Sequence, residues 1–283
     1  MMEKPKVTII IPTYNSDATL TACLTSVRNQ SYSSIEIIIV DNFSDDATVA
    51  IATEFGTRVM RQRSTPALAR NIGIANSTSM YVLFLDSDQV LSTSVVWECV
   101  EKCERQKVGM VRVPEAFVGK SFWASCSASW KNFYGKAGQK NGENGNISAG
   151  EPRFFIREQL VRAGMLNSGL FWGEDHDLHQ RMRRAGIRET CCESRLYHYE
   201  PETIREILFK TLHYGSSMPD YTRRTGQRVM WPLTRHSLLT FRELFKENRK
   251  RLSTMIGCTV LLCLKTYFMA FGIIMGSLTV NYK

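Results

Sequence analysis

Two carboxylates one residue apart, Asp86 and Asp88, follow the apolar run 81–85. At the end of a buried strand such a pair offers hard oxygen ligands to a divalent cation and to the phosphates that the cation carries. An Asp-x-Asp triplet alone also occurs in solvated turns. Its context is the short apolar run before it, because ligands of open parallel sheets gather beyond the carboxyl ends of the strands. A second acidic pair, Glu174-Asp175, opens the segment Gly173-Glu174-Asp175-His176-Asp177-Leu178, at a helix start where negative charge is favourable in any case. His176 and His179 flank these acids without the Cys or His partners that a zinc site needs, and they read as solvated helix residues.

Elements that would position these groups alternate along the first half. Residues 7–11 are β-branched and apolar, Pro12 is expected to end that strand, and Ser16 or Asp17 can cap a helix to about Asn29. A second strand at 35–40 precedes a helix capped by Ser44 and Asp46 and running through Phe55. A short strand at 57–61, a helix at 66–75 and the strand at 81–85 continue the pattern, which implies a parallel sheet flanked by helices. The glycines of 135–150, set among Lys, Asn and Gln, predict a flexible loop that either covers the site or is slack.

Four ordered motifs carry a family resemblance: residues 7–15, VTIIIPTYN; Ile39-Val40-Asp41-Asn42 with Ser44, Asp46 and Thr48; Ala69-Arg70-Asn71-Ile72-Gly73-Ile74; and Phe84-Leu85-Asp86-Ser87-Asp88. With Gly173-Glu174-Asp175 and Arg181-Met182 farther on, they resemble family 2 glycosyltransferases, over roughly residues 5–200. The resemblance implies the GT-A fold, an α/β nucleotide-binding domain with a mostly parallel central sheet. It implies metal-dependent transfer of a sugar from a UDP- or GDP-sugar donor, with inversion.

On the matched positions, the resemblance gives Pro12, Thr13 and Tyr14 to the nucleoside, with the Tyr14 ring available to pack on the base. Asp41 would accept from the base, and Arg70 would stand near the nucleotide, with a surface salt bridge as its alternative. Asp88 would ligate Mn²⁺ or Mg²⁺ directly, Asp86 would bind ribose or a metal-bound water, and His198 would supply a third ligand. Asp175 is the expected general base for the acceptor hydroxyl, and Glu174 its substitute or the residue that orients the acceptor. The stretch Ala163-Gly164-Met165-Leu166-Asn167 departs from the pattern that family members carry before the Glu-Asp motif.

From Pro201 the alternation stops and a helical pattern begins, so a catalytic domain is expected over 1–200 and a helical region over 201–283. Residues 254–280 are mostly apolar, and a helix of that length extends about 40 Å, enough to cross a hydrocarbon core of about 30 Å. Lys265 interrupts the run at a cost on the order of 3 kcal/mol at mid-bilayer, so a span, an interfacial helix, a broken hairpin and a face buried in a dimer all stay open. The basic cluster Lys246, Arg249, Lys250 and Arg251 just before it would hold the catalytic domain at the cytoplasmic face of the membrane.

The formal charge of +9 favours an anionic partner. No zinc-finger spacing or RNA-binding sheet motif accompanies it, which argues against nucleic acid. Eight cysteines without a C-x-x-C pair read as buried, reduced thiols, and the polar stretch 1–6 does not read as a signal peptide. The expected acceptor is a polyprenyl-linked sugar or another glycan. The alternatives are a polyprenyl-phosphate glycosyl synthase and a non-catalytic, membrane-bound nucleotide-sugar binder; a nucleotidyltransferase lacks support, because no Gly-rich loop follows Ile11.

Overall fold

The computed structural model describes residues 4–139, 150–226 and 252–280. In chain order its elements are β1 (Val7–Thr13), α1 (Asp17–Arg28), β2 (Ile35–Asp41), α2 (Thr48–Glu54), β3 (Arg58–Arg61), α3 (Pro66–Ala75), β4 (Tyr81–Phe84), β5 (Gln89–Leu91) and α4 (Val95–Gln106). There follow β6 (Met110–Arg112), β7 (Glu115–Val118), α5 (Phe122–Gln139), β8 (Phe154–Ile156), α6 (Arg157–Arg162), α7 (Glu174–Arg184), β9 (Glu189–Cys191), β10 (Leu196–Tyr199), α8 (Ile204–Thr225) and α9 (Leu252–Val280). The chain forms two compact units: Met1–Glu115 with Ala149–Tyr197, and Ala116–Ser148 with His198–Lys283.

The first unit is built on a seven-stranded sheet in the order β3-β2-β1-β4-β8-β6-β9. Strands β3, β2, β1 and β4 run parallel, whereas β8 is antiparallel to both β4 and β6. The chain winds outward from β1 to β3 and returns on the other side to β4, so the order reverses between β1 and β4, the place where such sheets open a ligand crevice. Ile9, Ile11, Ile39 and Leu83 on one face of the sheet and Ile10, Val82, Phe84 and Phe155 on the other are buried in separate apolar clusters. Two-sided burial is what the near-continuous apolar runs of these strands require.

Three local expectations change. Pro12 lies within β1 rather than ending it, in register with Val40; pairing with β4 stops at Ile10 opposite Phe84, so the missing N–H falls where no β4 partner is needed. Ser44 does not cap the second helix: its N–H and hydroxyl both serve Asp41, and Asp46 alone accepts from Thr48 N, at 2.9 Å. The predicted loop 135–150 is helical through Gln139, the end of α5, and residues 140–149 lie outside the described residues.

In the second unit, α8 and α9 approach closely at small residues. A Cβ on Gly276 would stand 2.2 Å from Ser216 O, one on Gly272 2.4 Å from Leu212 O, and one on Gly215 2.5 Å from Met269 O. Backbones meet this closely only where side chains are absent. Ile207, Cys258, Leu261, Cys126 and Phe133 form the apolar cluster shared by α8, α9 and α5. α9 is the one described helix long and apolar enough to cross a membrane. The basic cluster 246–251 lies outside the described residues.

All eight cysteines are free; six are buried, Cys191 is partly buried and Cys263 is exposed.

Candidate active site

Three strand ends set the site. At the end of β1, Thr13 pairs in register with Asp41, and its hydroxyl donates to Asp41 Oδ1 at 3.0 Å. Asp41 is fully buried, accepts Ser44 N at 2.9 Å as well, and faces Arg61 Nε at 3.5 Å, so it organises the two loops that close over this edge. Asn15 and Phe43 adopt positive φ (46° and 58°), and Asn15 N donates to Ser44 Oγ at 2.9 Å, which locks one loop to the other. Tyr14 stands 62% exposed beside them, its ring free of the core.

Beyond β4, Asp86 takes two guanidinium groups. Arg70 Nη2 lies 2.6 Å from Oδ1 and Arg153 Nη1 lies 3.2 Å from Oδ2. Gln89 Oε1 accepts Asp86 N at 3.0 Å, and Ser87 Oγ donates to Ser16 Oγ at 2.9 Å, tying the Asp86-Ser87-Asp88 turn to the start of α1.

Arg70 is not the surface salt bridge that sequence left open. It is buried, and while Nη2 holds Asp86, Nη1 holds Glu174 Oε1 at 2.9 Å, so one guanidinium joins the acid beyond β4 to the acidic pair of α7. Its Nε is buried without an acceptor among the described residues. Helix α3 aims it: Thr65 caps the helix from Leu68 N, Pro66 occupies the first turn, and Gly73 permits α3 to lie on β1, where a Cβ would stand 2.4 Å from Ile10 Cγ2. The neighbouring Asn71 exchanges two hydrogen bonds with the Leu166 backbone, at 2.8 and 3.0 Å. Arg181, paired to Asp177, donates to the carbonyls of Ala163 and, at 2.7 Å, Met165. The stretch that departs from the family pattern is therefore fixed at both ends of its turn.

Helix α7 begins at Gly173, whose φ of 77° needs glycine, and carries Glu174, Asp175 and Asp177 in its first turn. Glu174 is raised by burial and by the charge of Asp175, against the pull of Arg70. Asp175 is an exposed residue; desolvation of its carboxyl and the charge of Glu151 raise it, opposed by Arg70 and Arg153. A solvent-reachable carboxylate raised in this way is a stronger base than a free one.

Arg153, Glu115 and Glu151 escaped sequence reasoning. Arg153 Nη2 reaches Glu115 Oε1 at 2.6 Å while Nη1 serves Asp86. Its sequence signal is slight, an arginine just before the three-residue strand β8. The histidines of α7 correct an expectation: His179 is buried, not solvated, with a carboxylate on each ring nitrogen. His198, the third expected metal ligand, belongs to the second unit, where its ring lies 5.3 Å from that of Phe117; Asp86 and Asp88 belong to the first. Among the described residues no cluster of three or more His, Cys, Asp or Glu has metal-binding geometry.

The glycosyl transferase family 2 model matches residues 8–162, from β1 through the acids after β4 and the arginine before β8. The chain belongs to glycosyl transferase family 2. Glycosyltransferase AglE of Haloferax volcanii is 37% identical over 244 residues, which cover 83% of this chain and 77% of AglE. Other relatives match a smaller share of the chain: Glycosyltransferase GlyA of Streptococcus pneumoniae is 34% identical over 102 residues, which cover 34% of this chain and 15% of GlyA. Among solved structures, a mannosyltransferase of Pyrobaculum calidifontis in complex with GDP-Man and Mn²⁺ aligns with a TM-score of 0.57 at 17% identity, covering all of this chain and 82% of that one. S. aureus TarS 1-349 in complex with UDP-GlcNAc aligns at 0.56 with 14% identity, covering 98% of this chain and 92% of that one. At such identities the likeness is one of fold, the GT-A fold of the family.

Proposed function

We propose that the protein transfers a sugar from a nucleoside-diphosphate sugar to a hydroxyl of a lipid-linked glycan, with inversion and with help from a divalent cation. The observation that carries this reading is the Arg70 guanidinium, which holds Asp86 at the end of β4 and Glu174 at the start of α7 within one pair of ion pairs. This supports the reading, because it joins the acid proposed for the donor side to the acid proposed for the acceptor side. The relatives supply the donor class: S. aureus TarS binds UDP-GlcNAc and the Pyrobaculum mannosyltransferase binds GDP-Man with Mn²⁺.

Pro12, Thr13, Tyr14 and Asp41 would receive the nucleoside at the ends of β1 and β2, with Tyr14 exposed for a base to stack on. Asp88 and Asp86 would hold Mn²⁺ or Mg²⁺. Two carboxylates suit a cation that takes its remaining oxygens from a diphosphate. His198 remains a candidate third ligand. The bound ion would neutralise charge on the departing nucleoside diphosphate. Arg70 and Arg153 keep Asp86 from facing that diphosphate as an uncompensated charge. Asp175 would take the proton of the attacking hydroxyl, and Glu174, fixed by Arg70, would orient the acceptor.

A polyprenyl-phosphate glycosyl synthase is the second reading. There the acceptor is already an anion and Asp175 would be dispensable. The helical second unit, with the long apolar α9, is proposed to seat the protein at the cytoplasmic face of a membrane.

The test is release of nucleoside diphosphate from UDP- and GDP-sugars with Mn²⁺ or Mg²⁺ and membrane lipid extract, for wild type beside Asp88→Ala and Asp175→Asn. Loss of at least 100-fold in both variants is expected. Activity surviving Asp175→Asn would move the assignment to a phosphate acceptor, and activity indifferent to Asp88→Ala and to chelator would remove the metal from the reading.

A further inference from the structure

Outside the acids that face the donor lies a second charged cluster, formed by Glu151, His176, His179 and Glu189. Glu151 Oε1 lies 2.6 Å from His176 Nδ1, and its Oε2 meets His179 Nδ1. His179 Nε2 lies 2.6 Å from Glu189 Oε2. His179 is 7% exposed, so water does not satisfy its ring. A neutral imidazole has one N–H and would turn a lone pair toward one of the two carboxylates; with an acceptor on each nitrogen, the ring is held as imidazolium. Its two carboxylates raise it to about 9, against the desolvation that opposes charge, and the two histidines hold Glu151 down at about 2 although burial favours its protonated form.

The cluster ties three segments. Glu151 precedes β8, His176 and His179 lie on α7, and Glu189 begins β9. His176 is the residue after Asp175, and its N–H donates to Asp175 Oδ1 at 2.8 Å. Whatever fixes the His176 side chain therefore fixes the first turn of α7, on which Asp175 stands. Glu151 also places a negative charge beside Asp175. The charged groups around Asp175 are Glu174 and His176 on its own helix, Arg70 from α3, and Glu151 and Arg153 from the segment before β8.

We infer that Glu151 is a positioning residue for the transfer: through its bonds to His176 and His179 it sets the first turn of α7, on which Asp175 stands. The inference rests on Asp175 being the base. Arg70 and Arg153 pull against the charge of Glu151, so the strength of Asp175 reflects a balance in which Glu151 opposes two guanidinium groups.

The experiment compares Glu151→Gln, His176→Gln and Asp175→Asn with wild type, by the pH dependence of nucleoside-diphosphate release with membrane lipid extract and by the KM for donor. Glu151→Gln removes the negative charge; it is expected to move the acid limb of the rate profile down by about one pH unit and to lower kcat about tenfold, with the donor KM unchanged. His176→Gln removes a positive neighbour at a half-exposed position, together with its bond to Glu151, and should move the same limb upward. These opposite shifts separate tuning of the base from simple loss of packing. If Asp175→Asn is inactive while neither limb moves, the positioning role is overturned and the base stands. If Asp175→Asn is active, the base reading fails and the inference with it. Should Glu151→Gln not fold, His176→Gln decides alone: an unmoved limb overturns the inference.

Discussion

At the scale of single residues, charge pairing explains more of the first unit than any one ligand position. Asp86 faces two arginines, and Arg153 spends its other nitrogens on Glu115, with side-chain exposures of 15% for Arg153 and 9% for Glu115. Removing one member of a buried pair costs about 3–5 kcal/mol for full burial; loss of Arg153 takes a guanidinium from the nearly buried Glu115 and one of two from Asp86, which is partly exposed and keeps Arg70, so about 2–3 kcal/mol is expected. Arg153→Met is therefore expected to lose about 2–3 kcal/mol in urea unfolding, and a loss below 0.5 kcal/mol, roughly that of a surface substitution, would remove the pair from the stabilising set. The Glu151–His179 pair adds a pH signature. His179 is raised from 6.5 to about 9, so its contribution is complete below 6.5 and is lost as pH rises toward and through 9. Glu151 is lowered from 4.5 to about 2, so its contribution is complete above 4.5 and is lost as pH falls through 2. The Tm difference between wild type and His179→Leu should be greatest between pH 4.5 and 6.5 and shrink by pH 9; a difference flat across that range would mean that packing alone is lost.

At the scale of elements, what sequence made legible follows from where periodicity is strong. The parallel strands β1, β2 and β4 are apolar on both faces and bounded by turn residues, and α3 starts with a capping Thr65 and Pro66, so their positions were readable. Strand β8 has three residues and gains its place by antiparallel pairing with β4, some 70 positions away, and with β6; nothing local announces it, and the ion pairs of Glu151 and Arg153 before it were hidden for the same reason. Helix α5 runs past Gly135 and Gly138 where composition suggested a loop, because its own Cys126 and Phe133 pack against α8 and α9. Gly73 carries an element-scale prediction. A methyl there must displace Ile10, whose three nearest atoms stand at 2.4, 2.9 and 2.9 Å, and so lifts α3 from β1. Arg70, three residues earlier on that helix, would leave Asp86 and Glu174. Gly73→Ala should cost about 1–3 kcal/mol of stability and reduce turnover more than Asn76→Ala at the helix end, and equal turnover in the two variants would show that α3 does not aim the guanidinium.

At the scale of the molecule, residues 116–148 cluster with the carboxyl-terminal region rather than with the sheet, so the second unit begins well before the change of pattern at Pro201. Within that unit α9 is two-faced. Met255, Cys258, Leu261, Met269, Gly272 and Gly276 are buried, while Ile256, Val260, Tyr267, Phe271, Ile274 and Leu278, spaced by three, four or seven, are exposed. Lys265, the one charge on α9, has Lys131, Glu200 and Lys210 as its charged neighbours, all from the same unit. The outer face is thus mostly apolar, with Ser253 and Thr279 exposed near its ends and Lys265 partly buried beside its charged neighbours. With the inner face fixed against α8 and α5 by glycine-to-backbone approaches, the outer face is the part of α9 that the proposed membrane seat would use. In cells, Phe271→Glu with Ile274→Glu should shift the protein from the membrane pellet to the soluble fraction, because each carboxylate placed at lipid depth costs on the order of 2–3 kcal/mol. Wild type should resist a high-salt wash, since the contact is apolar and screening does not weaken it. Retention of the double variant in the pellet would sink the lipid-facing reading of α9, and release of wild type by salt alone would assign the attachment to basic residues.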